Sequence, residues 1–242
     1  MRRPARTPDH RRNRLLAALD EPDFAQLEPH LELLELPADK VLYEDGQVLD
    51  RVLFPHDSVL SVVAVLRDGG TAEMTTIGRE GVFGYITAVG NQQAFGRVSV
   101  QVPGTASGLS AERLRQAADE SPTLRQLLLC FIQALLQQTF QVVACNALHP
   151  VEARCARWIL MTHDRVGRAG LPLTHESLAE MLGVQRPTVS VVTRQLQMAG
   201  LIAQRRGVIS ITDRPGLEEV ACECYGVIRA SFGRLLPRTY SD

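Results

Sequence analysis

Apolar and polar positions along the chain fall into three regimes. From Val41 to Val102 the apolar residues come in short runs: Val41-Leu42-Tyr43, Val52-Leu53-Phe54, Val59 to Leu66, Ala72 to Ile77 and Val98 to Val102. Glu44-Asp45-Gly46, Asp68-Gly69-Gly70, Gly78 to Gly81 and Pro103-Gly104 separate them. Short strands at this spacing predict a small antiparallel barrel or jelly roll. Upstream, Leu15 to Leu34 has mostly helical spacing, interrupted by Pro22 and Pro29. The second regime starts at Ser121, placed to cap a helix that Pro122 opens. Leu124, Leu128, Phe131, Leu135, Gln138, Val142 and Cys145 then alternate steps of four and three. That is a coiled-coil-like seam. Leu127, Ile132 and Leu136 widen the apolar face toward the barrel. His149-Pro150 stops the helix. Val151 to Asp164 starts another, with Trp158, Ile159 and Met161 expected in the core of a second domain.

The third regime is His175 to Arg194, HESLAEMLGVQRPTVSVVTR. Leu178, Ala179 and Leu182 share one face of a first helix. Ala179 is small, as a steep helix crossing requires. Gly183 supplies the turn. Val184 packs inward, and Val189 and Val192 continue the apolar stripe on a second helix. Pro187 sits in that helix's first turn, where a missing N–H is harmless. The spacing predicts a helix-turn-helix.

The outward residues are Gln185, Arg186, Thr188, Ser190 and Arg194, none of them acidic. Arg can bond a guanine edge with two hydrogen bonds, and Gln an adenine edge. Arg186 lies at the N-terminal end of the second helix, the end that reaches bases in this motif. It is the expected base reader. Gln185, Thr188 and Ser190 are expected on bases or phosphates, and Arg194 on a phosphate. Downstream, Leu201-Ile202 and Val208 to Ile211 read as two strands of a wing. Arg205 and Arg206, at the bend with Gly207, would meet the phosphate backbone.

Length and charge sharpen this picture. A chain of 242 residues, 45 % hydrophobic, can build two cores. From Val151 onward it carries 12 arginines against 9 acidic residues, whereas residues 1–150 hold 14 basic and 18 acidic ones. A basic rear on an acidic front suits a DNA-binding module fused to a second function. Residues 1–14 are basic and read as a disordered arm rather than a secretory signal. No apolar run approaches the roughly 20 residues of a membrane span, so no membrane partner is expected.

Catalytic patterns are missing: no Walker loop, no HExxH, no GxSxG. A cupin-like metal enzyme would need several histidines on adjacent strands, and residues 40–105 contain only His56. The five cysteines are 130, 145, 155, 222 and 224. Cys222 and Cys224 fall in an expected helix from Gly216 to Leu236. Two residues apart on a helix is about 200° around its axis, so neither a shared metal nor a disulfide is expected there. The cysteines read as buried small hydrophobes or a redox switch. A reducing cytoplasm fits them.

With these residues in hand, the chain resembles the Crp/Fnr superfamily of bacterial transcription regulators. LTHESLAEMLGVQRPTVSVVTRQLQMAGLI carries the likeness most specifically. VLFPHDSVLSVV resembles early strands of the cyclic-nucleotide-binding domain, and IGREGVFG the approach to its phosphate cassette. The resemblance implies an α+β protein. Residues 15–120 would form a cyclic-nucleotide-binding-like jelly roll, 121–149 a dimerisation helix and 150–242 a winged helix-turn-helix. It implies double-stranded DNA, a second copy of the chain, RNA polymerase and a small-molecule effector as partners. The seam Leu124, Leu128, Phe131, Leu135, Gln138 and Val142 is the expected dimer interface. Gly81, Val82, Phe83, Gly84, Tyr85, Arg97 and Ser99 are the expected effector pocket.

Departures from the family narrow the effector. Gly84-Tyr85-Ile86 stands where cyclic-AMP binders have Gly-Glu-Leu, so the carboxylate that takes the ribose hydroxyl is missing. Arg97 is followed by Val98 and then Ser99, where the binders have Arg-Ser. Unpaired ribose hydroxyls would cost about 1–3 kcal/mol each. Cyclic AMP in the usual mode is therefore not expected. Nor is the iron–sulfur cluster of the oxygen sensors, since no cysteine precedes Cys130. His56 has the barrel position of a haem ligand, but a lone histidine reads first as a surface or core residue. No cofactor and no metal are expected. Pro187 and Val191 replace the family's Glu and Arg, so the operator should differ from its best-known palindrome. A ligand-independent DNA-binding dimer and a cysteine-based redox regulator remain alternatives.

Overall fold

A computed structural model describes residues 9–67, 70–237 and 239. The chain opens with a 3-10 turn, His10–Arg12, followed by helices α1 (Arg14–Ala17) and α2 (Glu21–Leu27). The expected disordered arm is corrected for residues 9–14, and residues 1–8 lie outside the described ones. Buried Asn13 caps α1 by accepting from the Leu16 N–H, and donates to the carbonyls of Pro55 and Gly81 at 2.8 and 2.9 Å. Those bonds pin the segment to the front domain.

Seven strands and two helices follow: β1 (Glu32–Leu36), β2 (Val41–Tyr43), β3 (Arg51–Pro55), β4 (Val59–Val65), β5 (Thr71–Ile77), α3 (Tyr85–Val89), β6 (Arg97–Val102), β7 (Gly104–Ser110) and α4 (Ala111–Glu120). They form two antiparallel sheets, ordered β1-β7-β3 and β2-β6-β4-β5. All five apolar runs are strands. Two strands carry no such run. β7 is GTASGLS, small because its neighbours approach closely: a Cβ on Gly108 would stand 2.6 Å from the Leu34 side chain on β1. β1 corrects the expected helical end of Leu15–Leu34. Its five residues pair with β7 from Glu32 opposite Gly108 to Leu36 opposite Gly104.

The long helix is α5 (Pro122–Leu148), capped by Ser121, whose hydroxyl accepts from the Leu124 N–H. Its seam corrects the expected dimer interface. Leu124, Leu128, Phe131, Gln138 and Val142 are buried within one chain, and Leu135 is half-buried. Phe131 lies so close to Gly81 that a Cβ there would fall 2.1 Å from its ring. Gln138 donates to Thr75 Oγ1 at 2.8 Å and the Thr76 carbonyl at 2.9 Å on β5. The seam therefore faces its own front domain. A second stripe on α5 is exposed: Leu129 50 %, Leu136 43 %, Phe140 68 % and Val143 65 %.

α5 also corrects the expectation about apolar runs. By length and composition it is long and apolar enough to cross a membrane, with a mean hydropathy of 1.6 in its best window. Arg125 is its one charged residue, its longer polar side chains are otherwise uncharged glutamines, and Gln138 spends its amide on β5.

Beyond Pro150 come α6 (Val151–Val166), β8 (Gly170–Pro172), α7 (His175–Leu182), α8 (Arg186–Met198), β9 (Ile202–Arg205), β10 (Val208–Ile211), α9 (Arg214–Val220) and α10 (Cys224–Leu235). The last three strands form an antiparallel sheet ordered β8-β10-β9. The single helix expected over Gly216–Leu236 is two, because Ala221 is extended (ψ 148°) and Cys222 stands in the break. α10 packs along α5.

Front and rear are joined by buried polar groups. Arg165 of α6, fully buried, donates to Glu80 at 2.8 Å, to Gln138 at 2.7 Å and to Thr76 Oγ1. Trp158, Ile159 and Met161 are buried as expected. The Trp158 indole is at the boundary, however, and donates to Glu73 of β5 at 3.2 Å. Burial pushes the Glu73 carboxyl upward, while Arg157 and the bonds from Gln101, Ser61 and Trp158 hold it down.

Candidate nucleic-acid interface

The rear domain builds its outer face from local rules. Thr174 caps α7: its hydroxyl accepts from the Ser177 N–H at 3.1 Å, and Ser177 Oγ accepts from the Thr174 N–H at 3.1 Å. This reciprocal pair satisfies two orphan donors of the first turn. Gly183 ends α7 at φ +63°, a conformation costly for other residues. The Val184 N–H then bonds back to the Ala179 carbonyl at 3.0 Å. Leu178, Ala179, Met181 and Leu182 bury one side of α7, and Val189, Val192 and Leu196 that of α8. Pro187 is in the first turn of α8, as its sequence position requires.

With those stripes inside, Gln185, Arg186, Thr188 and Arg194 stand exposed on one helix. No acidic residue occupies the first turn of α8, so its positive dipole end is left open to an anion. Arg186 touches Glu176 only loosely, at 3.9 Å, with both side chains largely exposed. Such a contact holds an arginine weakly. Ser190 differs from the other four. It is half-buried, within 2.9 Å of His175 Nδ1, and donates to the Arg186 carbonyl.

His175 is the residue that sequence reasoning missed. Its Nε2 meets Gln204 of β9 at 2.8–3.0 Å and Thr193 of α8 at 3.2 Å. One imidazole thus ties the start of α7 to α8 and to the wing. The signal was a histidine directly after a cap, which has no distinctive spacing.

β9 and β10 make the wing. Arg206 at φ +48° and Gly207 at φ +76° form its two-residue turn, the geometry that matches strand twist in a tight hairpin. Arg205 and Arg206 are both exposed at this tip, on the same domain as α8.

The residues expected to form an effector pocket do not enclose a ligand-sized space. Val82, Phe83 and Gly84 line a cavity of about 20 Å³ with Val62, Phe95 and Phe131. That is room for about one water. The Phe83 N–H and C=O both pair with Leu53, and the Gly81 N–H bonds the Gly78 carbonyl, so those two N–H groups are already used. Tyr85 is buried apart from this cavity. Arg97 pairs with Glu44 at 2.9 Å on the far side of β6, and Ser99 is half-buried in that strand. His56 is engaged as well, within 2.8 Å of Ser107 Oγ and 3.3 Å of Thr105 Oγ1. Burial, with Arg12 and His10 nearby, lowers it to about 4.

A β-domain and a long helix thus precede a winged helix-turn-helix whose second helix, α8, carries no acidic residue. Comparisons with known proteins make this more specific. Residues 153–220 match the Crp-like helix-turn-helix domain family. The fold matches FixK2 from Bradyrhizobium japonicum (TM-score 0.69, 15 % identity, 79 % of this chain and 98 % of that one). It matches CLP from Xanthomonas campestris (0.64, 16 %, 79 % and 99 %) and a Crp/Fnr-family regulator, TTHA1359, from Thermus thermophilus (0.62, 22 %, 78 % and 98 %). No curated protein matches the sequence. Residues 153–220 are thus a Crp-like helix-turn-helix domain, and the chain as a whole has the fold of these regulators.

Proposed function

We propose that this chain is a transcription regulator that reads a two-fold symmetric duplex DNA site as a homodimer. The exposed, acid-free start of α8, with Arg186 as its first residue and the arginine-tipped wing on the same domain, carries the reading. Arg186 and Gln185 have the donor geometry for base edges in the major groove. Thr188, Arg194, Arg205 and Arg206 suit phosphates, which add affinity without sequence information. Ser190 is held by His175 and is better suited to shaping α8 than to reading a base.

Dimerisation is supported by the outer stripe of α5. Leu129, Leu136 and Val143 repeat every seven residues and Phe140 widens the line. Apolar residues at such spacing are stable in water when a second helix covers them. Two copies would present two recognition helices to successive major grooves about 34 Å apart.

The regulators of known structure are not enzymes, and the proposal assigns this chain no reaction. A 20 Å³ space at the expected effector site favours DNA binding without a nucleotide there. Selection from a random duplex pool, with purified protein and no added ligand, tests both points. Enrichment of a palindrome is the expected result. Salt-sensitive binding without enrichment would remove the ligand-independent reading, and no binding at all would remove the proposal.

A further inference from the structure

Three cysteines and a histidine converge where the end of α5 meets the break between α9 and α10. Cys145 lies in the last turn of α5 and His149 follows its end. Cys222 stands in the break, and Cys224 begins α10. Their ligand atoms all lie within 4.8 Å of one another. Cys145 Sγ is 3.4 Å from Cys222 Sγ, and His149 Nδ1 is 3.5 Å from Cys224 Sγ. The three cysteines are buried and His149 is half-buried. The sequence expectation that Cys222 and Cys224 cannot meet fails because they are not on one helix. The turn at Ala221 aims both sulfurs at α5.

We propose that Cys145, His149, Cys222 and Cys224 form a tetrahedral site for a thiophilic divalent cation, zinc(II) above all. Three thiolates and one imidazole are a complete ligand set for a closed zinc site. Zn–S bonds of about 2.3 Å at tetrahedral angles put sulfurs about 3.8 Å apart. The sulfurs and nitrogen here need shifts of only tenths of an ångström to about 1 Å to reach that geometry. An iron–sulfur cluster fits less well, because it spreads its cysteines over different irons.

The surroundings point the same way. His149 Nε2 lies 3.1 Å from the Glu223 carboxylate. A proton held there leaves Nδ1, the atom facing Cys224, with its lone pair free. A ligating histidine steadied by a carboxylate through its other nitrogen is the usual outer layer of a zinc site. Gln141 Nε2 donates to Cys224 Sγ at 3.1 Å. Three thiolates and one zinc sum to a single negative charge, and the buried arginines Arg154 and Arg157 both interact electrostatically with Cys145. The cysteines also form a small cluster of their own, apart from the main core, with Ala153 packed against it. As packing alone, that gathering would contribute little.

The site would clamp α10 to α5 beside Pro150, where the chain passes into α6. Metal loading would thereby steady the DNA-reading domain on the long helix.

Metal analysis of the full chain, purified under reducing conditions without chelator, is the test. About one zinc per chain is expected for the wild type and for Cys130→Ser, whose cysteine lies outside the cluster, and a loss of that zinc for Cys222→Ser. Cobalt(II) added to the chelator-stripped wild type should produce thiolate-to-cobalt charge-transfer and tetrahedral d–d bands that saturate at one equivalent. This titration needs no variant to fold. Glu223→Ala should weaken metal affinity about 10- to 100-fold at unchanged stoichiometry. A wild-type chain with no zinc and no cobalt bands would overturn the proposal. So would iron with acid-labile sulfide, or a Cys145–Cys222 disulfide in a metal-free chain. None of these readouts involves DNA, so the site can fail while the DNA-reading proposal stands.

Discussion

His56 illustrates how strongly a neighbourhood can reassign a side chain. In sequence it is a lone barrel histidine with the position of a metal ligand. In the fold it is buried with Ser107 and Thr105, and its affinity for a proton falls to about 4. The folded state thus holds it neutral, and the unfolded chain protonates it near 6.5. Its contribution to stability is present above 6.5 and is lost as pH falls from there toward 4. Urea unfolding at about pH 7 and about pH 4 should therefore show a smaller pH loss for His56→Gln than for wild type. An equal loss would put the titration elsewhere. Arg186 is the opposite kind of residue, exposed and touched only loosely by Glu176. Arg186→Ala should cost about 1–3 kcal/mol of binding free energy and relax preference at one base pair per half-site, read by competition on single-base variants of the selected duplex. A variant with unchanged preference would shift base reading to Gln185 or Thr188.

Elements separate the two faces of α5 and the two parts of the proposed DNA-binding surface. Leu135 belongs to the face turned to the front domain, whereas Val143 belongs to the outer stripe. Val143→Glu should divide the proposed dimer in sedimentation while leaving the monomer's melting curve nearly in place. Leu135→Glu should lower the melting point first, because it puts a carboxylate beside Phe131 and Ile132. If Val143→Glu sedimented as wild type, the outer stripe would not be the contact. In the wing, Ala at both Arg205 and Arg206 should weaken every duplex alike. It should also reduce the slope of log affinity against log salt by about 2, one for each phosphate no longer neutralised. A sequence-dependent loss would mean that the wing reads bases.

At the scale of the molecule, the junction between front and rear is polar and buried. Arg165, Glu80, Gln138 and Thr76 bond one another where α6, β5 and α5 meet. Removing one partner of a buried ion pair leaves the other charge stranded. Glu80→Ala should therefore cost about 3–5 kcal/mol in urea unfolding, and replacing both Glu80 and Arg165 with Met should cost far less. Equal losses in the two variants would show that packing, not charge, holds the junction. The same junction explains the misread seam. A stripe at heptad spacing reports that one face is covered, not by what, and here the cover is the chain's own barrel at Phe131 and Gln138 and the α9–α10 break at Cys145.

Whatever depends on a period or on a local rule was legible in the sequence. The five apolar strands, the Ser121 and Pro122 helix start, the Gly183 turn and the inward and outward faces of α7 and α8 all follow from residues within a few positions of one another. The surface proposed to read DNA could be drawn from the sequence for that reason, since it lies on one short helix and one hairpin. Tertiary structure alone decided what rests on distant neighbours. Gly108 and its small companions become a strand because β1 and β3 lie against them. Gln138 becomes a buried link because Arg165 arrives from α6. Cys145, His149, Cys222 and Cys224 meet because the backbone at Ala221 breaks a helix that spacing would continue. Periodicity records how each segment is solvated, and carries no information about which distant segment excludes the water.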